Sequence, residues 1–591
     1  MAARAALRHR FDQLLDVGYG DASSIKSSID ECAAGGVKVN LGMRRVCYAK
    51  IVGSFSSSVP PYQHYCVATT GPAGAGEPPV QAPPPASTAP RVLRKPPLGE
   101  LKRIAGAYGV ELSQDDLTSF RNLMDGVLAS YRRLDQFAEP TLPVKYRRDS
   151  GYRPTASENQ LNAWYWKCSI KGAQSGPLGG KKIVIKDNVC VAGIPMMNGS
   201  NVLEGYVPDV DATIVTRILD AGGEIVGKAV CEHLCFSGGS HTSDTGPVLN
   251  PHDPKRSAGG SSSGSAALVV ASECDMAIGG DQGGSIRIPS SYCGAVGHKP
   301  TYGLVPYTGV FPIELTLDHT GPIARSAADV ALLLEAIAGP DGLDPRQPPG
   351  LRIEAYTKRL TGDARGVRVG IVKEGFGWPN SESDVDAMVR QAAERLGRAG
   401  ATVSEVSIPL HRDGVHIWNA IAVEGATMLM VAGNSMGTNW KGHYTTSLLD
   451  FYGRSRRARA NDLSETVKLV ILLGQYMQDN YQGRYYAKAQ NLARTLRAAY
   501  DEALRGMDLL LMPTVPLKAT LLPAPDASRE EYVARALEMI SNTCPFDVTG
   551  HPAVTVPAGM SAGLPVGMML IGRHWEDGTV LRAADAFQKL G

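Results

Sequence analysis

Residues 181–230 read KKIVIKDNVCVAGIPMMNGSNVLEGYVPDVDATIVTRILDAGGEIVGKAV, and this stretch decides the fold. KKIVIKDN (181–188) is a short apolar strand. Asp211–Ala221 has the pattern of a helix that stops at Gly222-Gly223, and GEIVGKAV (223–230) is a second strand. Further apolar strands follow at VRVGIV (367–372), ATVSEVSI (401–408), DLLLMP (508–513), AVTVP (553–557) and VGMMLIG (566–572). Helical stretches such as Asp384–Arg398 and Ala487–Leu504 separate them. Strand–helix alternation over this length predicts an α/β fold, a mixed or mostly parallel sheet covered on both sides by helices.

Working outward, 98 to about 137 is helical: Leu101, Ile104, Ala105 and Tyr108 share a face. Ser113 then caps a second helix through Leu117, Phe120, Leu123 and Leu128. Residues 71–97 form a Pro/Ala/Gly tract (GPAGAGEPPVQAPPPASTAP over 71–90) that reads as a linker. Residues 1–70 lack sustained periodicity. Arg4, Arg8 and Arg10 give the start the flavour of an organellar signal, but Asp12, Asp16 and Asp21 contradict the acid-poor rule for such segments. The expected organisation is therefore an N-terminal extension (1–70), a linker (71–97), a helical segment (98–150) and a catalytic domain (151–591).

Composition narrows the class. The chain has 591 residues, 43% hydrophobic and 20% charged, with net charge +2. Near-neutral charge argues against a nucleic-acid or anionic-membrane partner, and no run approaches the roughly 18 consecutive apolar residues of a bilayer span. Ten cysteines without a paired framework suit a reducing compartment, so a cytoplasmic location is expected. Cys231-Glu232-His233-Leu234-Cys235 invites a metal reading, but no second ligand pair follows at zinc-like spacing, so no metal is expected.

The chemistry is concentrated between 181 and 325. SAGGSSSGSAALVVAS (257–272) is a small-residue loop running into an apolar helix. MAIGGDQGGSIRIPSSYCG (276–294) is a strand, a glycine-rich turn and a short helix. Such a turn aims several backbone N–H groups at one point, which suits an anion or an oxyanion. Neither loop carries GxxxxGK[ST] or a dinucleotide fingerprint, so no nucleotide cofactor is implied. Ser285, just after Gly283-Gly284, sits where a nucleophile and N–H donors can converge on one carbonyl. Lys186, ending an apolar strand, is a candidate base because lost hydration favours a neutral amine; the alternative is a lysine that merely ends a strand in solvent. His298 is isolated and reads as structural.

KDN (186–188), GGSSSGSAA (259–267) and GGDQGGSIRIPSSYCGAVGHKPTYGLVP (279–306) strongly resemble the amidase signature family over roughly 98–591. DQGGS, with GVFPIELTLDHTGPIAR (309–325) and FDVTGHPAVTVPAG (546–559), looks most like the amidases found alongside nitrile hydratase in bacteria. The resemblance implies an amidase-signature fold and hydrolysis of small aliphatic or aromatic amides through an acyl-enzyme, without a cofactor. It implies a Ser–cis-Ser–Lys triad of Ser285 (nucleophile), Ser261 (bridge, after a cis peptide from Gly260) and Lys186 (base). It also implies an oxyanion hole at the Gln282, Gly283 and Gly284 turn, and an acyl pocket of Phe236, Leu317, Trp418 and Ile540. Asp281 and Arg287 are expected to support the turn as an internal pair.

Two departures stand out. Ser263 replaces a glycine of the usual SSGG pattern. Ile288 stands where the glutaminase subunit of the tRNA-dependent amidotransferase, the alternative reading, typically has glutamine; that relative also has DTGGS rather than DQGGS. Cleavage of N-substituted amides, anilides or carbamates is a further alternative. The expected partner is a small amide, with homodimerisation assisted by the N-terminal helical segment.

Overall fold

The computed structural model describes residues 93–590, together with two isolated strands, β1 (Val39–Asn40) and β2 (Lys50–Ile51), which pair antiparallel. The rest of the expected extension at 1–70 and most of the linker at 71–97 lie outside the described residues. By internal contacts the chain divides into two units, Met1–Val80 and Gln81–Gly591.

The centre of the second unit is an eleven-stranded mixed sheet. In chain order the strands are β3 (Trp164–Lys171), β4 (Lys182–Lys186), β5 (Glu224–Ala229), β6 (Met276–Asp281), β7 (Val296–Lys299) and β8 (His319–Ala324). They continue with β9 (Arg368–Val372), β10 (Thr402–Val406), β11 (Leu509–Pro513), β12 (Ala553–Ser561) and β13 (Leu564–Gly572). The spatial order is β10-β9-β11-β13-β12-β7-β8-β6-β4-β5-β3. The strand–helix–strand pattern of 181–230 is realised as β4, helix Thr213–Asp220 and β5, with β4 parallel to β5 on one side and to β6 on the other.

Side-chain alternation along these strands divides the core into two layers. Ile183 and Ile185 of β4, with Met276 and Ile278 of β6, join one apolar cluster; Val184 and Ala277 join the other, with Ile286, Ile323 and the helix Ser263–Val270. That helix is apolar and small all round, and is buried through Val269. Parity along β4 therefore sends Lys186 to the same face as Val184, toward the loop that opens this helix.

β3, β7 and β8 were not legible as strands. β7 is only four residues long, and β8 carries Gly321 and Pro322, which read as breakers. The N-terminal helices form as expected, at Leu98–Ala107 and Gln114–Leu134. Ser113 and Asp116 make a reciprocal cap. Their apolar faces are only partly covered: Leu101 and Leu117 are buried, whereas Phe120 is 50% and Leu123 69% exposed. The run Pro409–Ala432 is long and apolar enough to cross a membrane, a length not anticipated from the sequence, but over half of its most apolar window is buried within the fold.

Candidate active site

Lys186 ends β4 fully buried, and its Nζ donates to Ser261 Oγ at 2.7 Å and to the Gly280 carbonyl at 3.3 Å. The Gly260–Ser261 peptide is cis. Around it, Glu232 N donates to the Ser261 carbonyl (3.1 Å) and Gly260 N to that of Gly238 (2.7 Å). Ser262 N donates to the Ser285 carbonyl at 3.2 Å, tying the bridging-serine loop to the backbone of the candidate nucleophile. Ser262 also exchanges hydrogen bonds with Gly280, Oγ to carbonyl and N–H to Oγ, both at 3.1 Å. Ser263, the departure from the usual glycine, starts the helix and donates to Glu232 Oε1 at 2.9 Å. Glu232 accepts two further bonds from Thr242, and burial pushes its carboxyl up to about 7.

The glycine-rich turn leaves β6 at Asp281, whose carboxylate organises it. Asp281 accepts from the backbone N–H groups of Gly284 (2.6 Å) and Ile286 (3.0 Å) and from two nitrogens of Arg287 (3.0 and 2.8 Å). Arg287 also donates to Asp547 (2.7 Å) and to the Thr543 carbonyl (2.8 Å). All three side chains are fully buried. Burial pushes Asp281 up, but the Arg287 charge outweighs it and holds the carboxyl well below its usual range. Asp547 is pushed up by burial and by the nearby Asp281. The expectation of an internal supporting pair is met and extended by Asp547.

The turn's carbonyls are held from outside: Trp418 Nε1 donates to Gln282 O at 2.7 Å, and Thr543 Oγ1 to Gly283 O at 2.6 Å. Gly284 has φ +133°, and a Cβ there would lie 2.3 Å from Thr543 Oγ1, so only glycine fits. Of the three residues expected to form the oxyanion hole, Gly284 spends its N–H on Asp281 in this state.

Ser285, 7% exposed, opens onto a pocket whose walls include Phe236, Leu317, Trp418 and Ile540, all four expected from the sequence. Ile288 and Leu537 add to the lining, which contains no charged side chain. Sequence reasoning missed Leu537, Thr543 and Asp547. FDVTG carried the resemblance, but nothing in it marked Asp547 as the second carboxyl on Arg287.

The Cys231–Cys235 motif is engaged in other ways than metal binding. The thiols of Cys231 and Cys235 both donate to Asn198 Oδ1 (3.3 and 3.2 Å), while His233 Nδ1 faces Asp244 at 3.5 Å. His298 is structural, its Nε2 2.9 Å from Asp577. The seven described cysteines are free.

This arrangement of a buried Lys–cis-Ser pair beside a glycine-rich serine turn coincides with a family assignment: residues 150–581 match the family described as Amidase. The chain belongs to the amidase family. It is 48% identical to an enantioselective amidase of Rhodococcus rhodochrous over 497 residues, covering 83% of this chain and 95% of that one. It is 37% identical to the A subunit of the glutamyl-tRNA(Gln) amidotransferase of Methanosarcina mazei, over 71% of this chain and 86% of the other. Among solved structures, the corresponding amidotransferase protein from Thermotoga maritima superposes with a TM-score of 0.61 at 31% identity, covering 73% of this chain and 88% of that one. A bacterial aryl acylamidase superposes at 0.59 and 25% identity, over 71% and 84%.

Proposed function

We propose that this amidase hydrolyses small aliphatic or aromatic carboxylic amides to carboxylate and ammonia through an acyl-enzyme on Ser285. The observation that carries the reading is the buried 2.7 Å Lys186–Ser261 hydrogen bond, set beside a serine that opens onto an uncharged apolar pocket. Ser285 attacks the amide carbonyl while Ser261 relays its proton to Lys186. The relay then returns a proton to the departing amine, and water hydrolyses the ester by the reverse path. Backbone N–H groups of the Gln282–Gly283 turn and of Ser285 stabilise the oxyanion. Gly284 stays with Asp281 and holds the turn's shape.

Phe236, Leu317, Trp418 and Ile540 receive the acyl group. Each methylene buried there favours binding by about 0.8 kcal/mol, roughly fourfold, until the pocket is filled. Glutamine would bring two α-charges to be desolvated without a partner among the lining residues. Ile288, on the pocket wall, points the same way, against the glutaminase reading. The substrate then fits the amides that hydration of a nitrile yields. The exposed Phe120 and Leu123 of the N-terminal helix pair support a homodimer, and the free cysteines fit a reducing cytoplasm.

The test is kcat/KM for butyramide, benzamide and glutamine under one set of conditions. The two simple amides should be preferred. A clear preference for glutamine overturns the pocket assignment.

A further inference from the structure

Away from the pocket, three side chains from three parts of the chain converge. Asp501 lies on the helix Arg484–Gly506, His551 just before β12, and His574 just after β13. Their ligand atoms all lie within 4.8 Å of one another. Asp501 Oδ1 is 3.1 Å from His551 Nε2 and 3.9 Å from His574 Nδ1, and the two imidazole rings are 4.1 Å apart.

The outer face of each ring is held by one residue. Thr549 places its carbonyl 2.9 Å from His574 Nε2 and its Oγ1 2.9 Å from His551 Nδ1. A carbonyl only accepts, so His574 carries its proton on Nε2 and turns the lone pair of Nδ1 toward the Asp501 carboxylate. An imidazole lone pair and a carboxylate oxygen repel unless a cation or a water proton stands between them. His551 Nε2 lies at hydrogen-bond distance from Asp501 Oδ1, 3.1 Å; in the other tautomer Thr549 Oγ1 accepts from Nδ1 and the Nε2 lone pair faces the same point. This is the outer-sphere pattern that fixes imidazole ligands around a metal.

The competing cation is Arg497, whose Nε lies 3.6 Å from the other oxygen of Asp501. It leaves Oδ1 to the two histidines.

We propose that Asp501, His551 and His574 form a binding site for a divalent transition-metal ion of the zinc class, which clamps a long helix to the ends of β12 and β13. Two imidazoles and a carboxylate suit such an ion. Tetrahedral zinc with nitrogen and oxygen ligands spaces them about 3.3 Å apart; the 3.1 Å pair already matches, and His574, 3.9 Å from Asp501 and within 4.8 Å of His551, must move inward. The Asp501 side chain is 48% exposed, which leaves room for water in the remaining position. None of the three residues lines the Ser285 pocket, so the ion acts on stability and not on turnover.

The experiment uses the full chain, stripped with chelator, reloaded with ZnCl2 and desalted. Wild type should retain close to one zinc per chain by elemental analysis and melt several degrees higher than the stripped protein. An Asp501→Asn/His574→Gln double variant should retain none and show no zinc-dependent shift, with unchanged kcat/KM for benzamide. Should the double variant misfold, Co2+ loaded into wild type decides: visible d–d bands without an intense near-ultraviolet thiolate band are expected. Loss of zinc from wild type on desalting, full retention by a folded double variant, or a thiolate band each overturns the proposal.

Discussion

The indole N–H of Trp418 donates to the carbonyl of Gln282 at 2.7 Å, joining a wall of the apolar pocket to the backbone of the glycine-rich turn before Ser285. One side chain thus touches both the proposed acyl site and the Gln282–Gly283 peptide. The two roles separate by substitution. Trp418→Phe keeps an apolar wall and loses the hydrogen bond, so kcat should fall about tenfold, the worth of one such bond, with little change in KM for benzamide. Trp418→Ala should also raise KM, more for benzamide than for acetamide. Unchanged kcat in Trp418→Phe would show that the turn holds its shape without the indole.

The triad makes a sharper demand. Ser285→Ala and Lys186→Ala should each lose roughly 10⁴-fold or more in kcat while staying folded. Ser261→Ala should be severely impaired, because it removes the group that Lys186 contacts at 2.7 Å. Circular dichroism alongside steady-state rates checks this. A Lys186→Ala variant with near wild-type turnover would remove lysine from the relay.

A covalent intermediate leaves a chemical trace. Hydroxylamine, a better nucleophile than water, should intercept the acyl-enzyme and yield hydroxamic acid from butyramide or benzamide. If active enzyme at high hydroxylamine gives only carboxylic acid, direct attack by water replaces the acyl-enzyme.

Glu232 sets a pH signature on stability. Its carboxyl is buried and pushed up to about 7, whereas the unfolded chain titrates near the ordinary value of 4.5. The folded state therefore binds the extra proton between these values. The stabilisation is fully present below about pH 4.5 and is lost as pH rises through about 7. Glu232→Gln cannot titrate, so its stability relative to wild type should improve across that window by at most about 3 kcal/mol. Denaturant unfolding at pH 5 and pH 8 measures it; parallel pH dependence in both proteins refutes the assignment.

Much of this was legible in the sequence because the deciding signals are local. Lys186 at the end of an apolar strand, the small-residue loop at Ser261 and the glycine turn at Ser285 are each contained in a short window. The fold then brings them together through the adjacent parallel strands β4 and β6. The four pocket residues came through resemblance alone, since Phe236 or Ile540 in isolation is indistinguishable from core. What stayed hidden depends on partners distant in sequence. Asp547 has meaning only against Arg287, 260 residues earlier, and β7 and β8 are strands only because their neighbours complete the ladder. The N-terminal helix illustrates the converse: Phe120 and Leu123 follow helical periodicity, yet a periodic apolar face does not name what covers it.

The order of strands has a consequence for biosynthesis. β11, β13 and β12 are made late but occupy the middle of the sheet, between β9 and β7, and the segment beside them supplies Thr543 and Asp547 to the glycine-rich serine turn. A nascent chain that has already emerged with Lys186, Ser261 and Ser285 therefore still lacks the props that shape its serine turn. On the proposed mechanism, hydrolytic competence is expected only once the segment from Thr543 through β13 has docked. Ribosome-bound chains, or chains clipped before that segment, should then be inert, and the strand order would confine amide cleavage to finished molecules.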